Sequence, residues 1–184
     1  MAASEKDCIF LFVGRLCRDK GLFDLLDAFS KIRNEQPNTY LWVVGPDEEG
    51  IMAQVKEQNP ELYSLVKWIG PTFSPENYMS AADVLLLPSY REGFGSVIIE
   101  AAACNLPTIA YRIDGVIDAV EDGRTGLLVN LGNVEELKLQ MQVLVNSPNL
   151  RESLGVLARR RVCEYFSSKA VTQSWLDFYA NIFM

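Results

Sequence analysis

Short apolar runs alternate with amphipathic segments along most of the chain, the pattern of a parallel sheet covered by helices. Strands are expected at Ile9–Val13, Tyr40–Val44, Val66–Ile69, Val84–Leu87, Thr108–Tyr111 and Gly126–Val129. Their apolar residues run almost without interruption, as in strands buried on both faces. Between the first two runs, Leu22, Leu25, Leu26, Phe29 and Ile32 recur at spacings that make one helix face, with Asp24, Asp27 and Lys31 off it. Further helices are predicted over about Ile51 to Gln58, from Ser74-Pro75-Glu76, where the serine can cap, and from Gly95 to Cys104. From Val134 the pattern changes to three helical segments, Val134–Val145, Asn149–Tyr165 and Ser168–Phe183, with no strand among them. The fold class expected is α/β: a Rossmann-like, doubly wound parallel sheet of about six strands, with helices on both faces and a helical C-terminal tail. No repeat or linker interrupts it, so residues 1–184 read as a single domain.

Composition narrows the chemistry. With 17 Lys and Arg against 24 Asp and Glu, the formal charge is −7. That disfavours a broad grip on nucleic acid and gives no support for membrane contact. An anionic ligand would have to be held by a few placed cations and backbone N–H groups. No apolar run approaches the roughly 18 residues of a membrane span. Met1 to Asp7 is small and charged, unlike a signal peptide. Cys8, Cys17, Cys104 and Cys163 form no C-x-x-C pair and read as packing residues in a reducing compartment. The chain has no histidine, hence no imidazole for a triad, a metal or proton transfer.

Two segments carry candidate chemistry. The first strand ends in Val13-Gly14-Arg15, and Lys20-Gly21 opens the following helix. Two cations then lie at the carboxyl edge of the sheet, where open parallel sheets bind ligands. Gly14 allows a sharp turn, Arg15 can grip a phosphate in two parallel hydrogen bonds, and Lys20 adds a compact charge. The plainer alternative is a solvated loop with Arg15 paired to a surface carboxylate. A G-x-G-x-x-G fingerprint is missing.

The second segment follows the strand Val84–Leu87 and reads Glu92-Gly93-Phe94-Gly95-Ser96, opening a helix that carries Glu100. Glycines around an aromatic make a tight loop whose N–H groups, with those of the helix's first turn, suit an anion. Glu100 could accept hydrogen bonds from ribose hydroxyls and Glu92 from hydroxyls of a sugar. Either glutamate alone would read as an ordinary surface carboxylate; the combination after a strand end does not.

Taken together, these segments resemble the C-terminal domain of glycosyltransferase family 4, retaining enzymes of the GT-B fold. Ala81-Ala82-Asp83-Val84 and Asp122-Gly123-Arg124-Thr125-Gly126-Leu127-Leu128-Val129 add to the resemblance, and Trp68-Ile69-Gly70 is similar to the family's base-contacting loop. The resemblance implies that Arg15 and Lys20 bind the donor diphosphate, Glu92 lies beside the donor sugar, Glu100 binds the ribose and Ile69 approaches the base. It implies a UDP- or GDP-sugar as substrate, no cofactor, no catalytic metal and a cytoplasmic setting. The acceptor, a glycan or lipid, would be bound by an N-terminal domain absent from this chain, which on its own would be inactive. A GT-B-type sugar-nucleotide epimerase and a silent nucleotide-sugar-binding subunit are the alternatives.

One stretch departs from the family. Relatives have two glycines, proline and glutamate after the strand that ends here at Tyr111. This chain has Arg112-Ile113-Asp114-Gly115-Val116-Ile117-Asp118, with Asp118 in place of the glutamate. The resemblance therefore carries the fold further than the sugar preference. The last segment has Trp175, Leu176, Phe178, Tyr179 and Ile182 in an apolar pattern that either packs on its own sheet or stays exposed.

Overall fold

The computed structural model describes residues 7–183. The reading of residues 1–6 as unlike a signal peptide lies outside these residues. Six parallel strands form one sheet: β1 (Cys8–Val13), β2 (Thr39–Val44), β3 (Val66–Gly70), β4 (Val84–Leu87), β5 (Thr108–Tyr111) and β6 (Gly126–Val129). Their order is β3-β2-β1-β4-β5-β6, so the chain reverses direction across the sheet between β1 and β4. That junction opens a crevice at the strands' carboxyl ends.

The helices are α1 (Leu22–Glu35), α2 (Ile51–Gln58), α3 (Pro60–Leu65), α4 (Pro75–Met79), α5 (Ser96–Ala103), α6 (Val134–Asn146), α7 (Pro148–Arg161) and α8 (Ser168–Phe183). Strand alternation divides the core between the two sheet faces. Phe10, Phe12, Val84, Leu86 and Ile109 face α1 and α6, packing on Leu25, Phe29, Ile32, Leu137 and Met141. Leu11, Leu85, Leu87 and Ala110 point the other way, against Met79 of α4 and Ile98 and Ala101 of α5. The small residues of α5 let that helix lie close to the sheet.

Several details differ from the sequence reading for identifiable reasons. Pro60 opens α3, a further short helix, because Asn59 caps it by accepting from the Leu62 N–H at 3.0 Å. Ser74 precedes α4 without a side-chain cap bond. The segment read as one helix from Asn149 to Tyr165 leaves α-helical geometry at Arg161, and a π-helical turn spans Val162–Phe166 before α8. Ser167 then caps α8, accepting from the Ala170 N–H at 3.3 Å. Cys8 and Cys17 are packing residues, with burial pushing the Cys8 thiol up to about 12. Cys163 is exposed. No helix among the described residues is long and apolar enough to cross a membrane.

Candidate active site

β1 delivers Gly14 and Arg15 to the carboxyl edge. The Gly14 N–H donates to the Val44 carbonyl at 3.0 Å, extending the β1–β2 ladder. The positive φ here belongs to Gly45, at 142°, where a β-carbon would lie 1.8 Å from the Gly14 carbonyl oxygen. Arg15 lines a cavity of about 260 Å³ between the ends of β1 and β2 and residues Pro71 and Thr72. Its guanidinium donates to Glu48 at 2.8 Å, and both side chains are about half exposed, at 57% and 45%. The surface pairing considered for Arg15 is thus formed. The carboxylate raises the Arg15 pKa further, and the cation is retained at any working pH. Ile69 packs into the core on the α4 side and does not line this cavity.

Lys20 lies differently. A 3₁₀ turn over Arg18–Lys20 ends at Gly21, whose φ of 65° starts α1. Gly21 passes so close to the next loop that a β-carbon there would sit 1.8 Å from the Pro88 carbonyl oxygen. This contact brings Lys20 under the loop after β4, where its ammonium donates to Glu92 Oε1 at 2.6 Å. The two side chains are only 17% and 11% exposed. The cation expected on phosphate and the carboxylate expected on sugar therefore form one semi-buried pair.

The Glu92 loop is held to the 3₁₀ turn and to α1 by further bonds. The Tyr90 N–H donates to the Asp19 carbonyl at 2.8 Å, and Arg91 pairs with the Asp19 carboxylate at 2.6 Å. Two phenols, Tyr90 and Tyr111, donate to a single oxygen of Asp24 at 2.6 and 2.7 Å. Burial, and then the bond to Asp24, push the Tyr111 phenol well above the ordinary tyrosine range; the same carboxylate raises Tyr90. In the sequence Asp24 shows only as a position off the apolar face of α1. The tyrosines that occupy it come from distant segments, and no local spacing signals them.

Gly93 and Phe94 continue the loop, with Phe94 against Phe166 at a centroid distance of 5.5 Å. Gly95, at φ 64°, turns the chain into α5 and leaves Ser96 exposed at its first position. The free N–H groups of that first turn lie just beyond the Glu92 loop. Glu100, one turn further, is exposed. After β5, the departing stretch folds back onto the same loop: a β-carbon on Gly115 would lie 2.7 Å from the Glu92 carbonyl oxygen and 2.6 Å from that of Gly93. Asp118 is exposed, and its carbonyl accepts from Arg161 at 2.8 Å. Tyr90, Arg91, Glu92, Ile113 and Asp114 line a cavity of about 500 Å³ between the two loops.

Two motif residues prove structural. Asp83 accepts from the Ile9 N–H at 2.8 Å and pairs with Arg151 at 3.6 Å, fixing the start of β1. Asp122 accepts from the Leu128 N–H at 2.9 Å and pairs with Arg112. Among the described residues, no group of three or more His, Cys, Asp or Glu side chains could hold a metal ion.

The carboxyl edge of the sheet therefore carries Arg15, the Lys20–Glu92 pair and the N-terminus of α5 beside a topological switch point. The family profile described as "Glycosyl transferases group 1" matches residues 2–161. The chain belongs to this glycosyl transferase family. Among its relatives, the capsular polysaccharide biosynthesis glycosyltransferase CapM of Staphylococcus aureus is 34% identical over 178 residues, covering 94% of this chain and 46% of CapM. Sucrose-phosphate synthase of Thermosynechococcus elongatus is 33% identical with a TM-score of 0.84, covering 96% of this chain and 46% of the synthase. HepE of Anabaena, solved in complex with UDP, shares the fold at a TM-score of 0.85 and 24% identity, covering 96% of this chain and 49% of HepE. This glycosyl transferase chain thus spans about half the length of the relatives it matches, and its Rossmann-like sheet is one half of the GT-B arrangement.

Proposed function

We propose that this chain is the donor-binding half of a retaining, family 4-like glycosyltransferase, taking a sugar from a UDP- or GDP-sugar. The carrying observation is that Arg15, the Lys20–Glu92 pair and the N-terminus of α5 all lie at the carboxyl edge, where β1 and β4 are neighbours. The diphosphate lies against Arg15, Lys20 and the first-turn N–H groups at Gly95-Ser96, with Gly14 and Gly93 keeping the backbone close. These groups are fixed before the reaction and face the charge that develops on the leaving diphosphate, where preorganised positive groups are most effective. Glu100 accepts from the ribose hydroxyls. Glu92, held by Lys20, orients the sugar. Ile69 sits behind the base pocket, whose wall is made by Pro71 and Thr72.

Donor entry requires Lys20 to be shared between Glu92 and phosphate, which ties sugar position to diphosphate position. No step in this scheme uses a metal. The acceptor, a glycan or lipid, is assigned to a second domain, and the reaction to the cytoplasm. The capsular polysaccharide relative and the UDP complex of HepE support this reading.

Calorimetric titration with UDP, GDP and ADP tests it. One nucleoside diphosphate is expected to bind, and Arg15→Ala or Glu100→Ala to weaken it by about 1.5–3 kcal/mol, the scale of a charged hydrogen bond. Absence of binding by all three would overturn the proposal.

A further inference from the structure

The 500 Å³ cavity beside Glu92 has a charge balance that selects among sugars. Its volume lies in the range of small-molecule sites. Two clamps fix its walls. Tyr90 is bonded through its hydroxyl to Asp24, and its ring meets that of Tyr111 edge-on at 5.8 Å. Gly115 sits so tightly on the Glu92 and Gly93 carbonyls that the preceding Asp114 is held beside the Glu92 loop.

Three charged side chains line the cavity, and two are already matched. Glu92 is neutralised by Lys20 at 2.6 Å, and Arg91 by Asp19 at 2.6 Å. Asp114 has no hydrogen-bond or ion-pair partner among the described residues. The cavity therefore carries one uncompensated negative charge, on a carboxylate that can only accept hydrogen bonds.

Building on the donor-site reading above, we propose that Asp114 is a specificity-determining residue that sets the charge class of the donor sugar. It accepts hydrogen bonds from hydroxyls, favours an amino sugar and disfavours a glycuronate. Ile113 and the Tyr90 ring supply apolar wall for the carbohydrate's C–H surface, so Asp114 supplies a charge-dependent contact on an otherwise matched site.

The test is a titration series on the wild-type chain and Asp114→Asn at low and moderate salt. The probes are UDP, UDP-glucosamine, UDP-glucose and UDP-glucuronate, or GDP, GDP-mannose and GDP-mannuronate if GDP is the better ligand. For wild type, the uronate is expected to bind at least about tenfold more weakly than the neutral sugar at low salt, with the gap narrowing as salt screens the repulsion. Asp114→Asn should bring the gap within about threefold while leaving the affinity for the bare nucleotide unchanged, which a general structural defect would not do. If the nucleotide binds but the uronate matches the neutral sugar in wild type, or the gap survives in Asp114→Asn, this inference is overturned and the donor-site reading stands. If no nucleotide binds, both fall.

Discussion

The carboxyl edge of the sheet and the C-terminal helix are held very differently. At the edge, residues from the 3₁₀ turn, strand ends and helix starts are tied across long sequence separations: Lys20 to Glu92, Tyr90 and Tyr111 to Asp24, Arg91 to Asp19. In α8, Trp175, Leu176, Phe178, Tyr179 and Ile182 are each at least half exposed, and the rings of Trp175, Phe178 and Tyr179 pack on one another. The same kind of amphipathic pattern yields a buried face in α1 and an exposed one in α8. Periodicity states that a face is apolar; only tertiary context supplies what covers it. The edge is over-determined by cross-links, and the tail by almost none.

The sharpest way to break the edge is at its closest approach. Gly21→Ala would place a β-carbon 1.8 Å from the Pro88 carbonyl oxygen and 2.8 Å from the carbonyl carbon, both backbone atoms that cannot swing aside. We expect a loss of about 3 kcal/mol or more in urea unfolding, in the range reserved for core strain. Gly50→Ala provides the control, since Gly50 has nearly the same φ, 67° against 65°, but nothing within 4 Å. Its cost should be about 1–2 kcal/mol, that of left-handed backbone alone. Equal losses in the two variants would mean that the Gly21–Pro88 contact does not hold the edge together.

A smaller effect is expected from the tyrosine brace, and it carries a pH signature. Tyr111→Phe removes one of the two bonds to Asp24 and should cost about 1–2 kcal/mol at pH 8. The fold raises the Tyr111 phenol above its ordinary value, chiefly by burial and then through Asp24, so the folded state favours the neutral ring. The stability this contributes is complete below the unfolded value near 10 and is lost as pH climbs through the higher folded value. Wild type should therefore lose stability above about pH 10 relative to Tyr111→Phe, which has no phenol at this site. A gap between the two that stays constant from pH 8 to pH 11 would contradict the burial assigned to Tyr111.

The sheet itself was legible in the sequence because each strand is a short run of apolar residues bounded by turn residues. All six were located to within a residue or two, down to identical bounds for Val84–Leu87, Thr108–Tyr111 and Gly126–Val129. The site was legible only as a set of residue types. That Arg15, Lys20 and Glu92 lie at one edge follows from β1 and β4 being neighbours, while Glu100 is an exposed residue of α5. What spacing could not disclose is pairing: that Lys20 faces Glu92, that Arg15 turns outward to Glu48, and that a helix-surface aspartate serves two phenols from other segments. Such contacts depend on side chains brought together by folding across 66 and 87 residues. The π-helical turn at Val162–Phe166 was likewise hidden, since its residues continue the helical sequence pattern of α7.

The smallest effect is expected in α8, and its smallness is the point. Leu176 is 60% exposed, so Leu176→Glu removes no packing within the chain and should change unfolding free energy by no more than about 0.5 kcal/mol. The equivalent change on α1, Phe29→Glu, would bury an unpaired charge at a fully enclosed position and should prevent folding. Both helices have an apolar stripe, and the main difference between the two substitutions is whether that stripe is covered. Thermal unfolding at several protein concentrations reads this directly. A concentration-independent midpoint, shared by wild type and Leu176→Glu, means α8 stands uncovered in solution. A loss above about 1 kcal/mol on Leu176→Glu would mean instead that the helix folds back onto the body of the domain. The contrast between edge and tail would then reflect two packed regions rather than one.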